Sequence, residues 1–437
     1  MAHPLSRRDL LRMLGVGAGA VLAAPVLSAC APSTSTPSTD TGGSDPLKDD
    51  GVKDFQLTSW SANEAVTKDV LQSAIDTFSA ANGGKVTVSS YPYNDYLNQV
   101  LLQVQGGQAA GAVQLDVAWL ATLAATGKLV DLESVADGAG YAPAALALGQ
   151  VKGTQYGLPW TTAGIGLIGN SEILTKAGVT TPPATVADFE TALNAVKALG
   201  DGTIPWAGMT KVDQLKDVIP WMWEFGSPIV DDSGKIVIGD DGSVAAMTWY
   251  KKLYDQKLIA PDINRFDARA LMSQAKAAYY EDAIGGRAAV AGASADKALG
   301  DKLQPIARPV NAAGDKPRHL AWGHVIAVVN GSGAAAAAKF AKTVTSDAAY
   351  TGPWFAKAGL PPSTTTGLAD PAVTGDKFAS EFAKQIGANA SPSPFWVFPQ
   401  FAQMEKVLAE EVQSILIGKK QPKEAMTSAG ERMNALV

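Results

Sequence analysis

Apolar residues alternate with polar ones in several short stretches after residue 54, and between these stretches they recur at helical spacing. Phe55 to Trp60 alternates as a half-buried strand does, whereas Leu71, Ile75 and Phe78 recur with the period of an amphipathic helix. Because parallel strands are joined by long, usually helical crossovers, this order predicts an α/β body. The predicted strands are 55–60, 85–88 and 115–119, and the predicted helices between them are 66–81 and 96–108.

The rest of the chain continues this alternation without an internal repeat of fixed period. A second set of alternating elements covers residues 188–291, and late helices are predicted at 334–345 and 401–416. The body that begins at residue 55 is long enough for two domains.

Three glycines in the stretch AGIGLIGN (163–170) spell G-x-G-x-x-G, the phosphate-cradling fingerprint of dinucleotide-binding folds. That fingerprint needs a hydrophobic strand before its first glycine and a long helix after its last. Here a proline and two threonines precede Gly164, and barely two helical turns separate Gly169 from Gly178. The glycines also alternate with branched apolar residues. We therefore expect a strand that passes close to another backbone, and no bound nucleotide.

The N-terminus carries the features of an export signal, which must be set aside before the fold is considered. Arg7 and Arg8 precede an apolar run over 13–26, as twin-arginine signals require, and Leu27 to Cys30 resembles a bacterial lipobox. A single membrane-spanning anchor is the weaker interpretation, because the run is too short to span comfortably. We expect lipidation of Cys30, which would hold the protein at the extracytoplasmic face of the cell membrane.

Composition limits the body that follows the predicted signal (1–29). Residues 30–54 are rich in Ser, Thr, Pro and Gly and predict a flexible tether. The formal net charge of −6 offers no basic patch for nucleic acid, and a single cysteine allows no intramolecular disulfide. Only His319 and His324 lie beyond the leader, which disfavours histidine zinc sites and histidine-dependent catalysis. We expect no metal, no cofactor and no catalytic residue.

The stretch YGLPWTTAGIGLIGNSEILTKAGVTTPPATVADFETAL (156–193) resembles a segment of the bacterial extracellular solute-binding proteins. This is the family of ABC-importer receptors for carbohydrates that includes maltose-binding protein. Four further blocks resemble the family in the family's order. They are LDVAW with ATGKL (115–119 and 125–129), GRAAV (286–290), GLPP (359–362) and ILIGKKQPKEAMTSAGERMNAL (415–436).

This resemblance implies a periplasmic-binding-protein-like α/β fold, with two lobes joined by a hinge and a ligand cleft between them. The expected first lobe comprises 55–162 and 328–390, and the expected second lobe comprises 163–327 and 391–437. The implied function is a lipid-anchored, monomeric, non-enzymatic receptor that captures a carbohydrate. Its implied partners are that ligand and the permease subunits of an ABC importer, and its only contact with the membrane would be the lipid anchor.

Flat aromatic rings suit the apolar faces of a sugar, and amides, acids and hydroxyls suit its rim. Trp60 and Trp119 end predicted strands, and Trp160 and Trp322 lie on the expected crossings between lobes. Ligands bind at the carboxyl ends of strands in such sheets, so we predict that these four tryptophans share one cleft. By the family pattern, the further predicted ligand-binding residues are Asn63, Tyr93, Asp95, Thr161, Thr162 and Trp396.

Two alternatives stay open at the level of the sequence. The same receptor type could carry a polyamine, a phosphodiester or a metal chelate. A polyamine would use cleft carboxylates such as Glu281 and Asp282, and a phosphodiester would favour arginines there. An exported hydrolase is the weaker alternative, because adjacent acids such as Asp240 and Asp241 are usually solvated surface. Residues 292–295 carry no stacking aromatic where many sugar-binding relatives have one, which argues against a large oligosaccharide unless Trp322 and Trp396 take over the stacking.

Overall fold

The computed structural model describes residues 46–437, so the predicted signal, Cys30 and most of the predicted tether lie outside the described residues. The described part is one compact α/β body. None of its helices is long and apolar enough to span a membrane. Its strands are β1 (Phe55–Thr58), β2 (Val86–Ser89), β3 (Gly111–Asp116), β4 (Gln150–Val151), β5 (Thr154–Gln155), β6 (Gly157–Asn170), β7 (Ile204–Ala207), β8 (Ala277–Asp282), β9 (Leu303–Ile306), β10 (His319–Val329) and β11 (Ala390–Ser391).

Helices connect and cover these strands, and short 3-10 turns, given by their residues where they matter, complete the body. Of the helices, α1 to α9 are Lys68–Asn82, Tyr93–Gln105, Leu120–Ala124, Glu133–Ala136, Pro143–Ala147, Ser171–Lys176, Val186–Lys197, Ile219–Glu224 and Asp241–Asp255. In the same order, α10 to α19 are Arg265–Ser273, Gly286–Ala293, Leu299–Lys302, Ala334–Ser346, Ala348–Ala358, Thr365–Leu368, Pro371–Thr374, Lys377–Gln385, Phe401–Leu416 and Pro422–Asn434.

The strand order is β2-β1-β3-β10-β6-β8-β7, with β11 beside β10 and β9 beside β6. The strands β1, β2 and β3 pair in parallel, as the alternation of strands and helices predicts, and so do β7 and β8. The strand β10 is antiparallel to both β3 and β6. The α/β architecture expected from the sequence is therefore present.

The long strand β6 joins the two lobes. Its first part, Gly157 to Ile165, pairs with β10, whereas Gly166 to Asn170 pairs with β8 and β9. We propose that the lobe boundary lies between Ile165 and Gly166, close to the predicted boundary after residue 162. The helix α17 packs on β9, and its Gln385 Oε1 accepts a hydrogen bond from Ala307 N at 3.1 Å. We therefore propose that the second lobe resumes at α17, earlier than the predicted residue 391.

Two hydrophobic cores cover the opposite faces of this sheet. Successive residues of a strand point to opposite faces, so Val325 and Ala327 of β10 enter one core and Ile326 and Val328 enter the other. Strands that are buried on both faces have continuous apolar runs in their sequence, as VIAVV at the end of β10 does.

The glycine fingerprint lies within β6, which confirms the prediction of a strand there. Its close neighbours, however, are mainly side chains and not the backbone that the sequence suggested. A Cβ on Gly166 would stand 2.2 Å from Cδ1 of Ile386, and one on Gly169 would stand 2.8 Å from Cδ1 of Ile306. The glycines thus let apolar side chains pack directly onto the strand where the two lobes meet.

The predicted third strand needs a correction at its end. It ends at Asp116, and Val117 to Trp119 forms a turn of 3-10 helix. The Asp116 carboxylate accepts a hydrogen bond from Ala118 N at 3.0 Å and so caps that turn. Short polar side chains at such positions compete with ladder hydrogen bonds, which ends the strand. The apolar pattern continues beyond it because Val117, Ala118 and Trp119 are buried in the turn.

Candidate functional site

A cavity of about 300 Å³ lies between the two lobes, at the carboxyl ends of β1 and β8. The first lobe contributes residues that follow β1 together with Tyr93, and the second lobe contributes α10 and the residues that follow β8. The crossing strand β10 supplies Trp322 and His324. Ligands bind at this place in open α/β sheets. A larger depression of about 810 Å³ around residues 131–141 lies on the first lobe and carries little aromatic surface, so we take the cavity between the lobes as the candidate site.

An aromatic cluster forms the first-lobe wall. Ser59 caps the 3-10 turn that begins at Trp60, and Trp60 is almost fully buried at 2% exposure. The Trp60 ring stands at about right angles to the Tyr93 ring, with centroids 5.5 Å apart. Trp119 packs behind both rings, 5.5 Å from Trp60 and 5.0 Å from Tyr93. Trp60 and Tyr93 thus face the cavity, and Trp119 supports them from the core.

A hydrogen bond to Asp116 fixes Tyr93 in this wall. Its hydroxyl donates to Oδ2 of Asp116 at 2.8 Å. Burial raises the pKa of both groups, and the nearby Asp116 carboxylate raises that of the Tyr93 hydroxyl further. On the other side, the Tyr93 ring lies 6.5 Å from the ring of Phe266 in the second lobe. The two lobes therefore touch across the mouth of the cavity.

His324 lies between Trp60 and Trp322 at the inner end of the cavity. Its ring centroid is 4.8 Å from that of Trp60 and 4.4 Å from that of Trp322. Burial lowers the pKa of His324 to about 3, so the imidazole is neutral near pH 7. Its Nδ1 lies 3.3 Å from Nε2 of Gln114.

Two arginines of α10 form the second-lobe wall. Asn264 and Asp267 make a reciprocal capping box at the start of the helix, which places Arg265 and Arg269 one turn apart on one face. Arg269 binds Asp282 through two hydrogen bonds, from Nε at 2.6 Å and from Nη2 at 2.9 Å. Asp282 ends β8 and is fully buried, so this pairing is what permits its charge.

Arg265 is held beside this pair, with its Nε 3.8 Å from Oδ1 of Asp282. Its Nη2 binds the carboxylate of Asp217, and Oε1 of Gln214 accepts its backbone N–H at 2.6 Å. Burial opposes its charge, yet the carboxylates of Asp217 and Asp282 outweigh this and raise the pKa of Arg265. Its Nε has no hydrogen-bond partner among the described residues.

Glu64 is the acidic group that the first lobe contributes to the cavity. Burial raises its pKa, and Arg269 across the cavity opposes that effect. No lysine or arginine nitrogen of the described residues lies within ion-pair distance of its carboxylate. Glu64 thus offers acceptors opposite the donors of the two arginines.

The structure brings together only part of the predicted site. Trp60, Tyr93 and Trp322 line the cavity, and Trp119 lies behind them. The prediction for Trp160 needs a correction, because this residue does not line the cavity. It is buried in the other core, where its ring stacks on that of Trp354 with the centroids 4.1 Å apart. The remaining predicted residues lie outside the cavity lining. Asn63 and Asp95 are exposed, Thr161 is buried in β6, Thr162 is half-buried in β6, and Trp396 packs half-buried against the first core.

Sequence reasoning missed the charged part of the site. Glu64, Arg265 and Arg269 are ordinary surface residue types in sequence, and only the fold places them around one cavity. One local signal was available. The stretch Asn264-Arg-Phe-Asp267 reads as a capping box, and it puts Arg265 and Arg269 on one helical face.

Comparisons with known proteins give the same fold. The chain is similar to the GacH receptor of Streptomyces glaucescens, solved without ligand and with acarbose, at a TM-score of 0.79 and 22% identity over 88% of this chain and 98% of that one. It is also similar to T. maritima MalE3 bound to maltose, at a TM-score of 0.78 and 20% identity. That match covers 88% of this chain and 100% of that one. A third similar structure is a solute-binding protein of Agrobacterium radiobacter K84 in complex with ribitol. Its TM-score is 0.76 at 20% identity, over 89% of this chain and 99% of that one.

Sequence comparison identifies the family. A putative binding protein of Brucella abortus strain 2308 is 27% identical over 129 residues, which is 28% of this chain and 31% of that protein. The alignment thus spans about a third of this curated relative. The sequence profile of the bacterial extracellular solute-binding proteins matches residues 73–380. This chain therefore belongs to the bacterial extracellular solute-binding proteins.

Proposed function

We propose that this protein is a lipid-anchored, monomeric receptor that captures a carbohydrate between its lobes and delivers it to an ABC importer. The observation that carries the proposal is the cavity between the lobes, which combines aromatic rings with a polar rim. Tyr93 and Trp322 offer ring surface to the C–H faces of a sugar, and Glu64 and Arg265 offer partners to its hydroxyls. Acarbose, maltose and ribitol in the similar structures support the same ligand class.

The size of the cavity favours a short ligand. A volume of about 300 Å³ lies at the small end of the range for ligand pockets. Residues 292–295 carry no aromatic side chain that could extend the stacking surface, and Trp396 does not line the cavity. We therefore propose a monosaccharide or a short oligosaccharide.

A thermal-shift panel tests this proposal. A ligand that binds only the native state raises the melting temperature, so glucose, maltose, acarbose and ribitol are each titrated. The stabilisation should be lost in Trp322→Ala and kept in Trp396→Ala, a matched tryptophan outside the cavity. A panel without any shift, or equal losses in both variants, would reject the carbohydrate site.

An anionic solute is the second candidate, and the cavity arginines favour it. Arg265 and Arg269 both line the cavity and give it positive charge. A polyamine is less well matched, because Glu281 pairs with Arg308 and Asp282 with Arg269. Glycerol 3-phosphate added to the same panel separates the candidates. Its stabilisation would weaken steeply with salt, whereas binding of an uncharged sugar would not.

The family consists of binding proteins, and the cavity agrees with a receptor that performs no catalysis. Asp282 is a poor candidate for an acid or nucleophile, because Arg269 and the Ala283 N–H engage its carboxylate. Turnover of a chromogenic glycoside that a single change at Glu64 abolishes would contradict this part of the proposal.

The anchor is tested separately from the ligand. Wild-type protein expressed in a bacterium with twin-arginine export should fractionate with membranes and carry a diacylglycerol at its N-terminus by mass spectrometry. Cys30→Ser should release the protein from the membrane fraction, and replacing Arg7 and Arg8 by lysine should block export. Membrane association that survives Cys30→Ser would reject the lipid anchor.

A further inference from the structure

The donor and acceptor pattern behind His324 determines which ring nitrogen carries its hydrogen. The Ser59 hydroxyl accepts from Ser61 N at 3.2 Å and donates to Oε1 of Gln114. This leaves the amide nitrogen of Gln114 facing Nδ1 of His324 at 3.3 Å. An amide nitrogen only donates, so Nδ1 accepts.

A neutral imidazole that accepts at one nitrogen carries its hydrogen on the other. Burial lowers the pKa of His324 to about 3, so the ring stays neutral over the physiological range. The hydrogen therefore lies on Nε2, at the edge of the ring opposite Gln114. Among residues 46–437 no protein group accepts from Nε2, and His324 lines the cavity.

We propose that the Nε2–H of His324 is a fixed hydrogen-bond donor to the ligand and thereby a specificity-determining contact. The inference rests on the proposed function, because it takes the cavity as the ligand site. The ligand must place an oxygen acceptor within hydrogen-bond distance of Nε2 in the cavity, and a sugar can supply a hydroxyl or ring oxygen for this. A bound ligand without that oxygen leaves a desolvated donor unpaired, which weakens binding about 10- to 100-fold.

His319 provides an internal contrast on the same strand. Its Nδ1 lies 3.3 Å from the carbonyl oxygen of Ile165, which only accepts. Its Nε2 accepts from the backbone N–H of Arg308 at 3.5 Å. His319 therefore carries its hydrogen on Nδ1 and has no donor left for a ligand. The two histidines beyond the leader are thus assigned opposite tautomers.

Nitrogen-15 NMR of the full chain labelled at histidine reads these tautomers directly. We expect one neutral Nε2–H ring and one neutral Nδ1–H ring, and loss of the former in His324→Met assigns it. In Gln114→Glu a carboxylate replaces the amide donor, so the His324 ring should move its hydrogen to Nδ1 or become protonated. An Nδ1–H ring at His324 in the wild-type protein would overturn the inference.

Binding of named probes tests the contact itself. Maltose, acarbose, ribitol and glycerol 3-phosphate are titrated by calorimetry into the wild type, His324→Met and His324→Gln. Methionine removes the donor, whereas glutamine restores an N–H at about the same reach. We expect a loss of about 10-fold or more in His324→Met and substantial recovery in His324→Gln.

Each outcome decides one question. A probe that binds without moving the His324 Nε2 signal, or equal affinities of the methionine and glutamine variants, would overturn the inference. If no probe binds the wild type, the proposed function fails for these solutes, and the tautomer of the free protein still decides whether His324 offers a hydrogen to the cavity. Near-ultraviolet circular dichroism checks that each variant folds.

Discussion

At the scale of single residues, the buried carboxylate of Asp282 shows why the candidate site is charged. Asp282 is fully buried at the end of β8, and Gly286 leaves room for it, because a Cβ there would stand 2.3 Å from Oδ2. A buried carboxylate is tolerated only when it is paired, and Arg269 supplies two hydrogen bonds. The arginine is thereby held at the wall of the cavity.

Removing that partner should destabilise the protein strongly. Arg269→Met leaves the buried Asp282 carboxylate with the Ala283 N–H and the longer 3.8 Å contact to Arg265, and we expect a loss of about 3 kcal/mol in the free energy of unfolding. Urea denaturation measures it. Lys176→Met, which breaks the exposed pair with Asp201, is the control and should change little. Equal effects of the two changes would show that Asp282 does not depend on Arg269.

The two buried histidines should make stability depend on pH. Burial lowers the pKa of both His319 and His324 to about 3, and Arg308 contributes at His319, whereas an unfolded histidine titrates near pH 6.5. The unfolded state therefore binds more protons between these values, so stability falls as the pH drops from about 6.5 towards 3.

Each histidine should contribute about 1.4 kcal/mol per pH unit to this slope. Buried carboxyl groups with raised pKa, such as Glu64 and Glu281, act in the opposite direction, so the test is a comparison of variants. The free energies of unfolding of the wild type and His324→Gln are measured at pH 7 and pH 5. The wild type should lose more stability between these two values, by the contribution of one histidine. Identical slopes would contradict a native His324 that stays neutral.

At the scale of elements, β6 joins the lobes and leaves no room for side chains at its glycines. Gly166→Ala would place a Cβ 2.2 Å from Cδ1 of Ile386, so overpacking should cost about 1–3 kcal/mol. Ile386→Ala in the same chain should relieve the clash and make the two changes non-additive. Thermal or chemical unfolding of the two single variants and the double variant measures this coupling.

Gly292 provides the matched control for that prediction. It lies in α11, and a Cβ there would meet nothing within 4 Å. Gly292→Ala should therefore leave stability unchanged or raise it by about 0.5–1 kcal/mol, because alanine has the higher helix propensity. A similar loss at both glycines would mean that steric contact with Ile386 is not the cause.

At the scale of the whole molecule, we expect the contact between Tyr93 and Phe266 to couple ligand binding to closure of the lobes. A ligand favours the closed state only through interactions that are better there. We expect this ring pair, with its centroids 6.5 Å apart, to form in that state and to add to its stability. Phe266→Ala should weaken sugar affinity about 3- to 10-fold. Phe266 is 40% exposed, so the melting temperature without ligand should change little.

Calorimetry with maltose or acarbose, and small-angle scattering with and without sugar, measure that effect. Leu368→Ala removes a side chain of similar exposure, 39%, away from the cavity and is the control. Unchanged affinity and unchanged compaction in Phe266→Ala would show that the ring pair plays no part in closure.

Local patterns predicted much of the fold, because helices and strands have periods that a sequence displays directly. The helix at 401–416 begins and ends where the pattern placed it, and the glycine stretch is a strand. Trp221 and Trp249, which lie on helical patterns, are core residues. The family match at 73–380 confirms the resemblance, which depended on the order of several weak blocks.

The sequence by itself determined most of the elements, the α/β class and the family, because these follow from local periodicity and from the order of motifs along the chain. Only the tertiary structure decided which side chains meet at the cavity. Trp160, next to Thr161 in β6, packs into a hydrophobic core and does not line the cavity. Arg265, Arg269 and His324 come from distant segments of the chain and do line it. Strand register and helix packing determine which side chains come together, and both depend on contacts between residues far apart in sequence.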